Sequence, residues 1–235
     1  MPPPRLEDAD ERLDRAGHEP AALEASLDRV AAVNRRLGGT RAILRRLEPL
    51  MPGERPAEVL DVGTGSGELP RAVIEHARRR SRRVRVTALD RHPQTVGIAR
   101  RRLAPYPEAR VLRADALALP FADDRFDIVL LTLTLHHFDD DDAVRVLREL
   151  DRVSRGGGLI VDDLERCWPN YFGARWLAAT LWRRDPITRH DGPVSVLRAF
   201  TPNELTTLAR RAGLVRPRVD RHFFYRLMLT AGAGP

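Results

Sequence analysis

From Val59 to Val161 the sequence reads as an α/β protein built on a doubly wound, mostly parallel sheet. Three observations predict it. Val59, Leu60 and Val62, then Ile128 to Leu131, then Leu159-Ile160-Val161 form short apolar runs of the kind strands make when both faces are buried. Between the runs, apolar residues recur at helical spacing, as in Val73, Ile74 and Ala77 or Val96, Ala99 and Leu103. The first run stops abruptly at Gly63, Gly65 and Gly67, where alternate glycines let the backbone turn with positive φ and approach a ligand closely.

The elements follow in order. Residues 1–20 carry Pro2-Pro3-Pro4, mixed charges, Gly17 and Pro20, and are expected to form a disordered arm. Residues 21–235 read as a single domain with no internal repeat. Within it, residues 21–50 form a helical cap: Leu23, Leu27, Val30 and Leu37 share one helix, Gly38-Gly39 ends it, and Thr40 caps a second carrying Ile43, Leu44 and Leu47. Asn34, Arg35 and Arg41 there can touch a ligand or simply pack. The helix after the glycine loop runs from Glu68 to Arg80, and a strand at Val84–Leu89 then delivers Asp90. Pro93 opens the next helix. Arg110–Arg113 is a short strand followed by Ala114-Asp115-Ala116, and the fourth strand ends in Thr132 to His137. Asp139 to Asp142 place negative charge at the start of a helix reaching Val153, as its dipole favours. Gly156-Gly157-Gly158 stops that helix, and the fifth strand brings Asp162 and Asp163 to the same edge as the glycine loop.

Residues 164–200 form an insertion after the fifth strand. They hold all three tryptophans, Trp168, Trp176 and Trp182, together with Tyr171 and Phe172, and then a turn-like run, Arg189-His190-Asp191-Gly192-Pro193. Thr201-Pro202-Asn203-Glu204 is a capping box with proline at the first helical position. Val215–His222 and Phe223–Thr230 read as an antiparallel pair that finishes the sheet.

Composition bounds the partners. The formal net charge is +7, yet every one of the 40 basic residues is arginine, a usage that points to genome composition more than to phosphate binding. The run Arg78-Arg79-Arg80-Ser81-Arg82-Arg83 falls at a helix end, where it suits the dipole and solvates a turn at the opposite edge from the glycine loop. No apolar run approaches the ~20 residues of a membrane span. The lone Cys167 allows no intrachain disulfide, so a cytoplasmic setting is expected.

The loop itself argues against a dinucleotide. A pyrophosphate loop needs a glycine where Glu68 stands, and that carboxylate repels a diphosphate. Asp61 instead offers an acceptor for an ammonium group, and Asp90 one for the hydroxyls of a ribose. At Asp61 to Gly67 the chain matches the D-x-G-x-G-x-G loop of the class I S-adenosylmethionine-dependent methyltransferases, and it resembles that family over about residues 55 to 230. The resemblance implies a Rossmann-like methyltransferase fold with seven strands and S-adenosyl-L-methionine as cofactor. It assigns cofactor contacts to Asp61, Gly63, Thr64, Gly65, Gly67, Asp90, Arg91, Asp115, Ala116 and Thr132, with Asp115 accepting from the adenine amino group.

The expected activity is methyl transfer to a small apolar or phenolic acceptor, by in-line displacement onto oxygen with a general base. Trp168, Phe172 and Trp176 are expected to shape the acceptor pocket, or else to seal a core. His137 and His190 are the expected proton acceptors, since an imidazole titrates near neutrality, while His136 and Asp163 position the acceptor or the cofactor. The alternative for the histidine pair is to cap the next helix and pack, and for His190 to tie its turn through Asp191. A nucleic-acid methyltransferase is the alternative activity, but Thr132-Leu133-Thr134-Leu135-His136-His137 lacks the Asn/Asp-Pro-Pro-aromatic motif that the resemblance associates with base amino groups. A non-enzymatic adenosyl-binding regulator is a third reading. No metal is expected, because the carboxylate that catechol-type relatives carry after the fourth strand is absent, although Asp162 and Asp163 can supply part of such a site. A homodimer stays open.

Overall fold

The computed structural model describes residues 1–7, 9–15, 17–156 and 158–232. Seven strands form one sheet: β1 (Ala57–Val62), β2 (Val84–Asp90), β3 (Ala109–Arg113), β4 (Ile128–Thr132), β5 (Leu159–Leu164), β6 (Arg218–His222) and β7 (Arg226–Ala231), in the order β3-β2-β1-β4-β5-β7-β6. Strands β1 to β5 pair in parallel, and β7 inserts antiparallel between β5 and β6. The chain winds outward from β1 in one direction and then returns to β4 on its other side. That switch point opens a crevice at the carboxyl ends of β1 and β4.

Helices cover both faces. They are α1 (Pro20–Arg36), α2 (Gly39–Leu47), α3 (Glu68–Arg79), α4 (Pro93–Leu103), α5 (Asp140–Val153), α6 (Trp168–Ala179), α7 (Pro186–Arg198) and α8 (Pro202–Arg211). Strand β4 shows why two cores form. Ile128 and Leu130 join the core under α2 and α3, with Ile43, Leu47, Val73 and Ile74, while Val129 and Leu131 join the core under α5 and α8. A fully buried Leu or Ile contributes about 1.5–3 kcal/mol by leaving water, so the unbroken apolar run is what this central position requires. At the lower edge Asp127 accepts both Arg55 guanidinium nitrogens at 2.6 Å. Gly158 is obligatory there, because a Cβ would stand 1.9 Å from the Asp127 carbonyl oxygen. Its neighbour Gly157 lies outside the described residues. The expected Thr201–Glu204 capping box is present, and Asp139 caps α5 by accepting from the Asp142 N–H.

Three expectations are corrected. Thr40 caps nothing: α2 begins at Gly39 behind Gly38, whose φ of 79° makes the turn. The run 189–193 is not a turn but the middle of α7, with Pro193 inside the helix. Gly192 lets the helix press on Trp182, since a Cβ would meet that ring at 2.6 Å, and Asp185 anchors the start by accepting from the Ile187 and Thr188 N–H groups. Finally, the arm 1–20 is packed rather than disordered where it is described. Leu6 N–H donates to the Leu197 carbonyl, Arg166 donates to the Pro3 carbonyl, and the Arg12 and Leu13 N–H groups donate to Asp191 at 2.8 Å each. All these partners lie more than 160 residues away in sequence, which is why the arm shows no local pattern.

Candidate functional site

A cleft of about 560 Å³ occupies the switch point. Its floor is the glycine loop, where Gly63, Gly65 and Gly67 adopt φ of 70°, 55° and 79°. Gly63 touches Thr134 so closely that a Cβ would fall 2.3 Å from its Oγ1. Asp61, at the end of β1, is buried, and its Oδ2 has no hydrogen-bond partner among the described residues. Burial, and then the charge of Asp90, push its carboxyl up to about 7. A buried carboxylate with a free oxygen beside a ligand cleft is a site for a cationic donor. Asp90 accepts from the Gly65 N–H at 3.0 Å and the His92 N–H at 2.9 Å, and burial raises its carboxyl too. Thr64, Gly65, Arg91, Asp115, Ala116 and Thr132 complete this wall. The set fits an adenosyl group with an amino-acid tail: a free carboxylate for the ammonium and Asp90 at the end of β2 for the ribose. Gly67 departs from expectation. It starts α3 and packs on Leu103 rather than lining the cleft.

Beside the cleft lies a second, mostly apolar cavity of about 150 Å³ between α1, α6 and α7, lined by Val30, Val33, Ala174, Leu177, Trp182 and Val196 among others. Leu13, Val30, Asn34, Leu133 and His137 line both spaces. The seam is the 3₁₀ turn Leu135–His137. There Asp163 accepts from His136 twice, from the backbone N–H at 3.0 Å and from Nδ1 at 2.6 Å. Burial works to raise the Asp163 carboxyl, but the His136 charge and hydrogen bond outweigh it and hold the group below the usual range. His137 Nδ1 donates to Asp14 of the arm at 2.7 Å. Burial opposes charge on His137, yet Glu11, Asp14 and Asp163 prevail and push its pKa up to about 9.

The sequence-level site is therefore rearranged. His136 and His137 do meet at the seam, with Asp163 behind them. At neutral pH His137 keeps its proton, which removes it as a free base. His190 lines neither space; its Nδ1 bonds the neighbouring Asp191 carboxylate at 2.8 Å. Trp168, Phe172 and Trp176 fall on one face of α6, four residues apart, and point outward with 43%, 60% and 63% exposure. The face of α6 turned to the cavity carries Asn170, Ala174 and Leu177 instead. Asn34 is placed in the site as one of the named candidates, and it accepts from buried Arg226 at 3.0 Å. Sequence reasoning missed Glu11, Leu13 and Asp14, which reach the site from the arm, and Arg198, whose nitrogens donate to the carbonyls of His136 and His137 and of Glu7 and Ala9. No spacing signal marks them.

Fold and cleft together define a doubly wound α/β protein that takes an adenosyl-type ligand at its switch point. A profile of the methyltransferase domain matches residues 59–158. The 2-phytyl-1,4-naphtoquinone methyltransferase of Thermosynechococcus vestitus is 32% identical over 170 residues, covering 68% of this chain and 73% of that protein. The malonyl-[acyl-carrier protein] O-methyltransferase of Halorhodospira halophila is 33% identical over 161 residues, covering 68% of this chain and 50% of that protein, so the chain spans half that relative's length. Among solved structures, a SAM dependent methyltransferase from Aquifex aeolicus superposes with a TM-score of 0.63 at 18% identity, over 92% of this chain and 98% of that one, a likeness of fold. The chain belongs to the S-adenosylmethionine-dependent methyltransferases of class I, whose cofactor the cleft suits.

Proposed function

We propose that this protein methylates a small, largely apolar acceptor bearing an acidic ring hydroxyl, held in the cavity between α1, α6 and α7. The observation that carries this reading is the shared wall: a polar cleft fitted to the cofactor adjoins an apolar cavity, and the two meet at His137, with His136 beside it in the cavity. When bound, S-adenosylmethionine supplies an electrophilic methyl group whose leaving group is a neutral thioether. The chain's work is then alignment. Asp61 holds the ammonium end and Asp90 the ribose, fixing where the methyl points. The apolar walls strip water from the acceptor ring, and Asp163 fixes the His136 ring at the seam so that the reacting oxygen is placed in line. A relative named for a naphthoquinone supports an apolar ring acceptor, and neither it nor the relative named for malonyl-[acyl-carrier protein] is named for a nucleic acid. The arginine run supports it as well: Arg78, Arg79 and Arg80 face Glu108, Glu75 and Glu48 at the opposite edge of the sheet.

Incubating the full chain with S-adenosylmethionine and a panel of naphthols, hydroxyquinones and polyketide-type phenols, followed by mass spectrometry, tests the proposal. One added methyl on oxygen in at least one compound is expected. Methylation confined to RNA or DNA, or to carbon, overturns it.

A further inference from the structure

The seam holds a group of residues that alignment alone leaves unexplained. Glu11 comes from the arm and is 4% exposed, and its Oε1 has no hydrogen-bond partner among the described residues. Its Oε2 accepts from Ser195 Oγ at 2.8 Å. His136 Nε2 stands 3.6 Å from Glu11 Oε1, and His137 Nε2 stands 3.9 Å from Glu11 Oε2. One donor atom from each of the three residues can be chosen so that all lie within 4.8 Å of one another. The sequence gives no hint of this, because Glu11 and the histidine pair are 125 residues apart and meet only when the arm folds over the 3₁₀ turn.

The far side of each imidazole is already fixed. An ionised carboxylate can only accept, so Asp163 takes the Nδ1–H of His136 and Asp14 takes the Nδ1–H of His137, at 2.6 and 2.7 Å. Both rings are thereby turned so that Nε2 faces Glu11. A carboxylate behind each histidine and a free Nε2 in front is the arrangement that orients imidazoles toward a metal ion. Glu11, Asp14 and Asp163 bring three negative charges to the seam. Arg198 Nε lies 3.7 Å from Glu11 Oε1, but every nitrogen of that guanidinium donates to a backbone carbonyl, so Glu11 Oε1 gains no hydrogen bond from it. Arg198 and Arg91, the latter 4.0 Å from Asp14, offset part of that charge, and a bound ion would take the place of the proton that His137 holds at neutral pH.

We propose that Glu11, His136 and His137 form a site for a first-row divalent cation. Two histidine nitrogens and one carboxylate, with the remaining coordination positions open, suit iron(II), manganese or zinc. Bonds of about 2.1 Å need donors roughly 3–3.5 Å apart, so the present separations, which reach up to 4.8 Å, must close by as much as about an ångström or more through side-chain rotation. All three residues line the apolar cavity, and His137 lines the cofactor cleft as well. The open positions therefore face the acceptor, where the cation binds the ring oxygen and holds it as an oxyanion, its proton leaving to solvent. That role rests on the proposed acceptor, whereas the cation site rests only on the geometry.

The test separates the two. Full-length protein freed of metal with a chelator is titrated with Zn²⁺ and with Mn²⁺ by calorimetry, without cofactor or acceptor, and its Co²⁺ derivative is examined by absorption. We expect one ion per chain, a Co²⁺ spectrum with nitrogen ligation, and binding at least about tenfold weaker in Glu11→Gln and His136→Gln. Asp163→Asn, which removes only the carboxylate behind the ring, should weaken binding by about 10–100-fold. Retained S-adenosylhomocysteine binding in each variant checks its fold, and the wild-type Co²⁺ spectrum needs no variant at all. Absence of one-to-one binding with either ion, a Co²⁺ spectrum of the hydrated ion, or equal affinity in all variants overturns the site. A chain that binds the ion yet methylates no ring hydroxyl keeps the site and sinks the proposed acceptor. Full methylation of a phenol by protein shown to be metal-free keeps the acceptor and sinks the cation's role at its oxygen.

Discussion

Asp61 and Asp90 carry opposite duties on one loop. Asp90 is already tied to the Gly65 and His92 N–H groups, so it shapes the loop before any ligand arrives. Asp61 Oδ2 is free, and its carboxyl, lifted from 3.8 to about 7, is half protonated in the physiological range. Only the ionised form pairs with an ammonium. Cofactor affinity should therefore rise with pH up to about 7, level off above it, and fall roughly tenfold per unit below. Calorimetric dissociation constants measured across that window check it. Asp61→Asn should flatten the profile and weaken binding by about 1.5–3 kcal/mol, the range for hydrogen bonds to charged groups. The same raised value makes the unliganded fold hold a proton that the unfolded chain releases. This group's contribution to stability accordingly declines as pH rises from about 4 to about 7, and thermal melts without cofactor should show that sign. Removing the Asp90 carboxylate should cost a similar 1.5–3 kcal/mol of cofactor binding with the sheet intact by circular dichroism.

At the scale of elements, α6 and α7 wall the cavity in which the acceptor is proposed to sit. Because Trp168, Phe172 and Trp176 face outward, Phe172→Ala should leave acceptor use unchanged, whereas Leu177→Ala, on the cavity face, should raise the acceptor's KM in steady-state assays. Gly192→Ala drives a methyl into Trp182 and should destabilise the fold by about 1–3 kcal/mol in urea titration. The same two helices show where sequence reading stops. The glycine loop, the capping box at Thr201 and the proline that opens α4 were legible because each is a contact between residues a few positions apart. Helix α7 was not, since Gly192-Pro193 breaks every local rule for a helix and only Trp182 explains the glycine. The outward turn of the α6 aromatics was equally hidden: three bulky residues at i, i+4 and i+8 define a stripe but not the direction it faces. The residues expected to hold the cofactor line one cleft, Gly67 excepted. The acceptor side was not legible, because Glu11 and Asp14 arrive from a segment with no periodicity.

The whole molecule is held together across its site by the arm. Arg198, at the end of α7, donates to Glu7 and Ala9 on one side and to His136 and His137 on the other, and so fastens the arm to the seam. Arg198→Ala should speed amide hydrogen exchange in residues 1–15 and weaken cofactor and acceptor together, with the strands still protected. The arm also contributes Leu13 to both spaces, Asp14 to the cleft and Glu11 to the cavity. One strap thus forms part of two rooms. Whichever ligand settles first bears the entropy of ordering the strap, and the second finds it already in place, so each should tighten the other by the same factor. The reverse holds on the way out. With the acceptor in the cavity proposed above, spent cofactor and methylated acceptor would leave through one shared wall, which makes the lifting of Arg198's latch a candidate clock for turnover, sensitive to solvent viscosity even where methyl transfer itself is fast.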